Sequence, residues 1–139
     1  MKVLKFGGTS VANSESISNV ISILNNNRND NLLIVVSALG GITNLLQECL
    51  SHKGKSTENI INKIEERHLE VINNLSDLDG QGSLKSFLKE NLNLLEDILD
   101  AISTIDEVTK KTVSKVLTLG ELLSSKIIYK ILVQKGFNI

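Results

Sequence analysis

Short apolar runs alternate along the chain with longer stretches in which apolar residues recur every three or four positions. Residues 3–6 form one such run, broken by Lys5 and ended by Gly7-Gly8, with Thr9 and Ser10 behind. That order predicts a strand, a glycine turn and then helix-capping chemistry. From about residue 14 to 26, Ile17, Val20, Ile21 and Leu24 keep helical spacing. The Asn-rich run 25–31 predicts a surface loop. Leu32-Leu33-Ile34-Val35-Val36 is unbroken and rich in β-branched residues, the pattern of a strand buried on both faces of a helix-covered parallel sheet. Ser37-Ala38-Leu39-Gly40-Gly41 follows, and Thr43 opens a periodic segment through Leu45, Leu46 and Leu50. Strand, glycine turn and helix thus occur twice, a β-α-β-α start.

The middle of the chain reads as helical. Residues 57–75 carry Ile61, Ile64, Val71 and Leu75 at helical steps, residues 77–82 (Asp77 to Gly82) predict a turn, and residues 83–102 repeat the pattern from Leu84 to Leu99. Together, at about 56–105, they predict a helical hairpin insertion, a lid or an oligomer contact, without a feature specific to chemistry. A last helix is expected from residue 107 or 112 to 135, interrupted near Gly120, with Gly136 at its left-handed C-terminal position. Phe137-Asn138-Ile139 reads as the first step of a new strand. Two strands against four or five helices are lopsided for a doubly wound sheet, so further strands are expected after Ile139. The expected fold class is α/β, with residues 1–139 as one incomplete domain.

Composition narrows the function classes. A chain of 139 residues with 41% hydrophobic and 22% charged side chains suits a single globular domain. A net charge of -1, an aromatic share of 3% and no Trp argue against nucleic-acid partners, which need excess cations and stacking platforms. The single cysteine, Cys49, reads as a small apolar side chain in a helix rather than a reactive thiol. The N-terminus lacks a signal-peptide pattern, and no stretch reaches the ~20 apolar residues of a membrane span. The expected location is the cytoplasm.

Lys5 carries the first chemical signal. A lysine in a buried strand must lose water. Either it snorkels from an edge strand, or it stands at the carboxyl end of the strand and meets a phosphate on the Gly7-Gly8 loop. The two glycines would let backbone N–H groups and the following helix N-terminus face that anion. The sequence matches neither G-x-x-x-x-G-K-[ST] nor G-x-G-x-x-G, which disfavours standard P-loop and nicotinamide readings. Ser37, Gly40-Gly41 and Thr43-Asn44 repeat the arrangement, although Thr43 alone also reads as an N-cap. Glu121 sits on the flank of an apolar helical band, either in a structural ion pair or capturing a substrate ammonium. His52 and His68 lie without clustered partners and read as surface or partly packed histidines rather than metal ligands.

Three segments are similar to signatures of one family. Lys5-Phe6-Gly7-Gly8-Thr9-Ser10-Val11-Ala12 resembles the opening motif of aspartate kinases. The run from Val35 through Ser37, Gly40, Gly41 and Thr43 to Leu46 resembles their second glycine-rich segment. Leu119-Gly120-Glu121-Leu122-Leu123-Ser124-Ser125 resembles their glycine-glutamate-serine helix. The resemblance implies a three-layer αβα amino-acid-kinase fold with a mainly parallel sheet. It implies MgATP as phosphoryl donor and L-aspartate as acceptor. Lys5, Phe6, Gly7, Gly8 and Ser37 would then bind ATP, with Lys5 catalytic, and Thr43 and Glu121 would bind aspartate. The family's kinase domain continues past the length of this chain and supplies the adenine pocket and the Mg2+ ligands there. The chain by itself is therefore expected to be inactive, its parent a homo-oligomer. The first thirteen residues lean towards the type fused to homoserine dehydrogenase. Two alternatives stay open: a kinase of acetylglutamate, glutamate or uridylate, and a non-catalytic anion-binding or oligomerisation module.

Overall fold

A computed structural model describes residues 1–139. Strands β1 (Lys2–Phe6) and β2 (Leu32–Val36) pair in parallel, with Lys5 opposite Val35 and Phe6 opposite Val36. Helix α1 (Ser14–Asn25) connects them, and α2 (Ile42–Ser51), α3 (Glu58–Leu75), α4 (Leu78–Ile105) and α5 (Lys110–Gln134) follow. The expected α/β class with a parallel sheet is therefore present. Burial of β2 differs from expectation. Leu32, Ile34 and Val36 pack against the core beside Leu4 and Phe6, whereas Leu33 and Val35 remain 49% and 40% exposed, next to Val3 at 58%. No helix within these residues covers that face.

One continuous core of 30 buried residues draws on all five helices and on Phe6, Val11, Ala38 and Leu39. Helix α3 packs against α1, α2, α4 and α5. The expected hairpin insertion is thus a central part of the fold, and its leucine stripe, Leu84 to Ile102, faces the same core. Residues 77–82 are not a turn. Asp77 caps α4 by accepting from Gly80 N at 2.8 Å, and the Gln134 side chain accepts from Asp77 N at 3.1 Å. A capped first turn tolerates glycines that pattern reading takes for a break. Similarly, Asn13 rather than Thr9 or Ser10 caps α1, accepting from Ser16 N at 2.9 Å.

Helix α5 runs through Gly120 without interruption. A Cβ there would stand 2.9 Å from Ala38 Cβ and 3.4 Å from Leu46 Cδ1, so the glycine serves close helix approach. The helix ends at Gly136 (φ +79°), where Gly136 N donates to Val133 O and Phe137 N to Leu132 O, at 2.9 and 3.0 Å. Both bonds belong to the Schellman motif. Residues 137–139 do not start a strand. Arg28 binds the carbonyls of Lys135 and Gly136 and lies 4.1 Å over the Phe137 ring, drawing this segment to the 25–31 loop.

His68 also departs from expectation, being fully buried (0% exposed) on the α3 stripe between Ile64, Val71 and Ile72. Its Nδ1 lies 2.7 Å from Ile64 O. A carbonyl only accepts, so Nδ1 carries the proton and Nε2 keeps an unpartnered lone pair. Burial lowers the imidazole pKa from 6.5 to about 4. Above pH 6.5 the ring is neutral in both folded and unfolded chains. Between pH 6.5 and 4 only the unfolded chain takes up the proton, so stability falls as pH falls. Chemical denaturation should show His68→Leu losing about 2 kcal/mol less than the parent chain between pH 7 and pH 5. Equal losses in the two proteins would show that His68 does not carry this dependence.

Candidate functional site

The two strands end level, and their turns meet backbone to backbone. Ser37 N donates to Phe6 O at 3.1 Å, closing the ladder. Beyond it, a Cβ on Gly40 would lie 2.9 Å from Ala12 Cβ and 3.2 Å from Gly8 O, and one on Gly8 would lie 3.7 Å from Ala38 O. Only hydrogen at Gly40 allows this approach. Gly41 takes the left-handed conformation (φ +81°) and starts α2.

The same geometry leaves backbone donors free. The N–H groups of Gly7, Gly8 and Thr9 make no backbone hydrogen bond, nor do those of Gly40, Gly41, Thr43 and Asn44. No side chain caps α2. Thr43 is the second residue of that helix, which removes the N-cap alternative for it. The N-terminus of α1 is different. Asn13 caps it, and the Glu70 carboxylate accepts from Ser14 N at 3.0 Å and from Ser14 Oγ. An anion at the first turn would thus meet the loop N–H groups, because the helix end is already filled.

Helix α5 closes the arrangement. Gly120 packs on Ala38 and Ile42, and Ser124 Oγ donates to Ser37 O at 2.7 Å. Glu121, next to Gly120, is exposed. The ion pairs of the chain are Lys2–Asp30, Lys53–Asp106, Lys55–Asp106 and Lys89–Glu65, so Lys5 and Glu121 have no charged partner within it. Lys5 is exposed on the open face of the sheet, one residue before the end of β1. Phe6 sends its side chain into the core, leaving only its backbone at the turn. Ser37 is half-buried between the strand end and Ser124.

The structure therefore brings the Lys5–Gly8, Ser37–Thr43 and Gly120–Glu121 segments to one end of the sheet. Sequence reasoning missed two groups there. The Arg67 guanidinium, from α3, donates to Gly40 O and lies against Gly41, and Glu70 holds the start of α1. Arg67 borders the apolar stripe of α3 beside Ile64 and His68. A flanking cation of that kind is the signal that could have found it. Cys49 is buried, and burial together with the neighbouring Glu48 raises its thiol pKa to about 11. It stays a protonated core side chain. An apolar groove of about 280 Å3 runs along β2 and α5, lined by Ile34, Ile128, Tyr129 and Leu132 among others. It carries no charged group.

Parallel strand ends, free turn N–H groups and an unpaired lysine define an α/β domain with open donors at one end of its sheet and no P-loop motif. The chain belongs to the amino acid kinase family, whose signature matches residues 1–139. It is 30% identical over its whole length to the bifunctional aspartokinase/homoserine dehydrogenase of Buchnera aphidicola, of which it spans 18%. It is 33% identical over 91% of its length to the aspartokinase of Chlamydia trachomatis, of which it spans 26%. The chain thus spans between about a sixth and a quarter of these relatives. Two crystal structures of Escherichia coli aspartokinase III share its fold at 23% identity. The one with lysine and aspartate has a TM-score of 0.84 and matches 98% of this chain and 29% of that one. The one with aspartate and ADP has a TM-score of 0.82 and matches 96% and 29%. No helix of the chain is long and apolar enough to cross a membrane.

The two turns predict opposite tolerance to a methyl group. Gly40→Ala must displace Ala12 or the Gly8 carbonyl, and should cost about 1–3 kcal/mol in urea denaturation. Nothing lies within 4 Å of a Cβ on Gly7, so Gly7→Ala should stay within about 0.5 kcal/mol. Similar losses at both positions would contradict the backbone contact.

Proposed function

We propose that this chain is the lysine-bearing portion of an aspartate kinase, which transfers the γ-phosphoryl group of ATP to the β-carboxylate of L-aspartate and forms 4-phospho-L-aspartate. The observation that carries the reading is the convergence of the three motif segments at one end of the sheet. Gly8 and Gly40 touch there, and Gly120 packs on the residues joining β2 to α2.

Each group has a physical task. The N–H groups of Gly7 and Gly8 and the Lys5 ammonium receive the phosphate oxygens, with Ser37 and the backbone of Phe6 holding the second strand end against them. Lys5 neutralises charge on the phosphoryl group in transit. Thr43 and the free N–H groups of α2 receive the acceptor, and the Glu121 carboxylate pairs with its α-ammonium. A carboxylate oxygen of aspartate attacks the γ-phosphorus, the bond to the bridging oxygen breaks, and ADP leaves. The nucleophile is already ionised near neutral pH, so no strong base is required, and positioning with charge neutralisation suffices. Mg2+ belongs to the donor as MgATP. Such a metal is ordinarily held by substrate phosphates, water and one or two carboxylates, and the resemblance to aspartate kinases implies that those carboxylates lie in the part of the kinase domain that follows this segment.

The product is an acyl phosphate that starts the lysine, threonine and methionine routes, carried out in the cytoplasm by a homo-oligomeric parent. These statements rest on the resemblance to aspartate kinases. The placement of α3 and α4 within the core speaks against reading residues 56–105 as a separate oligomerisation module.

ADP release by the full-length polypeptide carrying this chain should require L-aspartate. Lys5→Ala should lower kcat about 10²–10³-fold without unfolding an exposed position. Preference for glutamate, acetylglutamate or uridylate as acceptor would replace this assignment with another member of the family. The 139-residue chain alone should release no aspartate-dependent ADP.

A further inference from the structure

Helix α3 grips both glycine turns from behind. Arg67 donates to the carbonyl of Gly40, and its Nη1 stands 2.8 Å from where a Cβ of Gly41 would be. Three residues further, Glu70 accepts from Ser14 N at 3.0 Å and from Ser14 Oγ, and Asn74 Nδ2 donates to the same carboxylate at 3.0 Å. Ser14 opens α1 two residues after Ala12, which packs against Gly40. One stretch of helix, spanning ~4.5 Å of rise, therefore holds the carbonyl of the second turn and the segment leaving the first. His68 lies between the two gripping residues and is buried completely, which fixes this part of α3 in the core. Neither Arg67 nor Glu70 forms an ion pair within the chain. Their charged groups are spent on backbone and hydroxyl partners of the turns.

We infer that Arg67 and Glu70 are positioning residues for phosphoryl transfer, acting on the ligands only through the turns. Arg67 sets the second turn and hence the N-terminus of α2 that carries Thr43, the acceptor side. Glu70 sets the exit of the first turn, the ATP side. Free N–H donors bind an anion well only when their directions converge, and a displacement of about 1 Å at such a site costs up to ~10²-fold in rate. This inference rests on the aspartate kinase reading. It goes beyond it by splitting control of the two substrates between two residues of a helix that touches neither.

The split is measured by steady-state kinetics on the full-length polypeptide carrying this chain. Arg67→Met keeps length and apolar contact but removes the donors, and should raise the KM for L-aspartate about tenfold with the KM for ATP within about twofold. Glu70→Gln should show the reverse, a raised KM for ATP with little change for aspartate. Arg67→Lys, which keeps a cationic donor for the Gly40 carbonyl, should restore part of what Arg67→Met loses. Urea denaturation of each variant separates this pattern from general loosening, and Glu70→Asp serves where Glu70→Gln does not fold. Equal changes in both KM values, or none, in an enzyme whose parent form is aspartate-dependent would overturn the positioning role alone. A parent form without aspartate-dependent ADP release would overturn both this inference and the reading beneath it.

Discussion

The fold turns on a contact between two stretches of backbone. In a parallel pair with Phe6 opposite Val36, the chains leave the sheet at the same level and in the same direction. Their first residues outside it must pass each other, and the Gly8 carbonyl lies 3.2 Å from the place a side chain would occupy on Gly40. Each turn closes locally, by Ser10 N to Gly7 O and by Ile42 N to Leu39 O, and the N–H groups of Gly7, Gly8 and Thr9 and of Gly40 and Gly41 stay unpaired. Unpaired donors at a surface favour an anion. These open donors belong to the backbone of the turns, and no specialised side chain is needed to create them.

Around this contact, small residues recur where elements approach closely. Gly120 brings α5 against Ala38, and Ser124 Oγ gives the Ser37 carbonyl a donor that a continuing strand pair would have supplied. Arg67 does the same for the Gly40 carbonyl. The second turn therefore has its Ser37 and Gly40 carbonyls satisfied from behind, by α5 and α3, while its donors stay open in front. Buried acceptors without partners would carry a desolvation penalty of about 1–3 kcal/mol each. The helices remove it without using up the donors.

Much of this was legible in the sequence because it depends on local chemistry. The β-branched run of β2, the helical spacing of Ile17 to Leu24 and the left-handed Gly136 follow from backbone and side-chain preferences that act over a few residues. The glycines of both turns were visible for the same reason. Features set by distant partners were not. Asp77 makes a helix start out of a glycine-containing stretch that alone resembles a turn, with Gln134, distant in sequence, as its second support. Arg28 ties the last residues of the chain to the 25–31 loop through the Lys135 carbonyl and the Phe137 ring. His68 reads as polar in sequence, yet its place on the α3 stripe puts it in the core. Arg67 and Glu70 reach their partners across 27 and 56 positions of sequence; the cation flanking the α3 stripe marks Arg67, but no local pattern names the partner of either.

The distribution of charge separates what stabilises the fold from what serves the proposed site. The four ion pairs join largely exposed side chains, and such pairs contribute little, of order 0–1 kcal/mol each. The buried ionisable groups, Cys49 and His68, are both held neutral by their surroundings. The ion pairs therefore add little to folding, and Lys5 and Glu121 are left without charged partners at the end of the sheet. Lys5 shares its face with Val3, Leu33 and Val35, and apolar neighbours weaken the screening of its charge. A lysine neutralised by a neighbouring carboxylate could not attract a triphosphate with the same strength. A glutamate locked to an internal cation could not receive an ammonium. The end of the sheet keeps its polarity because the ion pairs of the fold take up neither Lys5 nor Glu121.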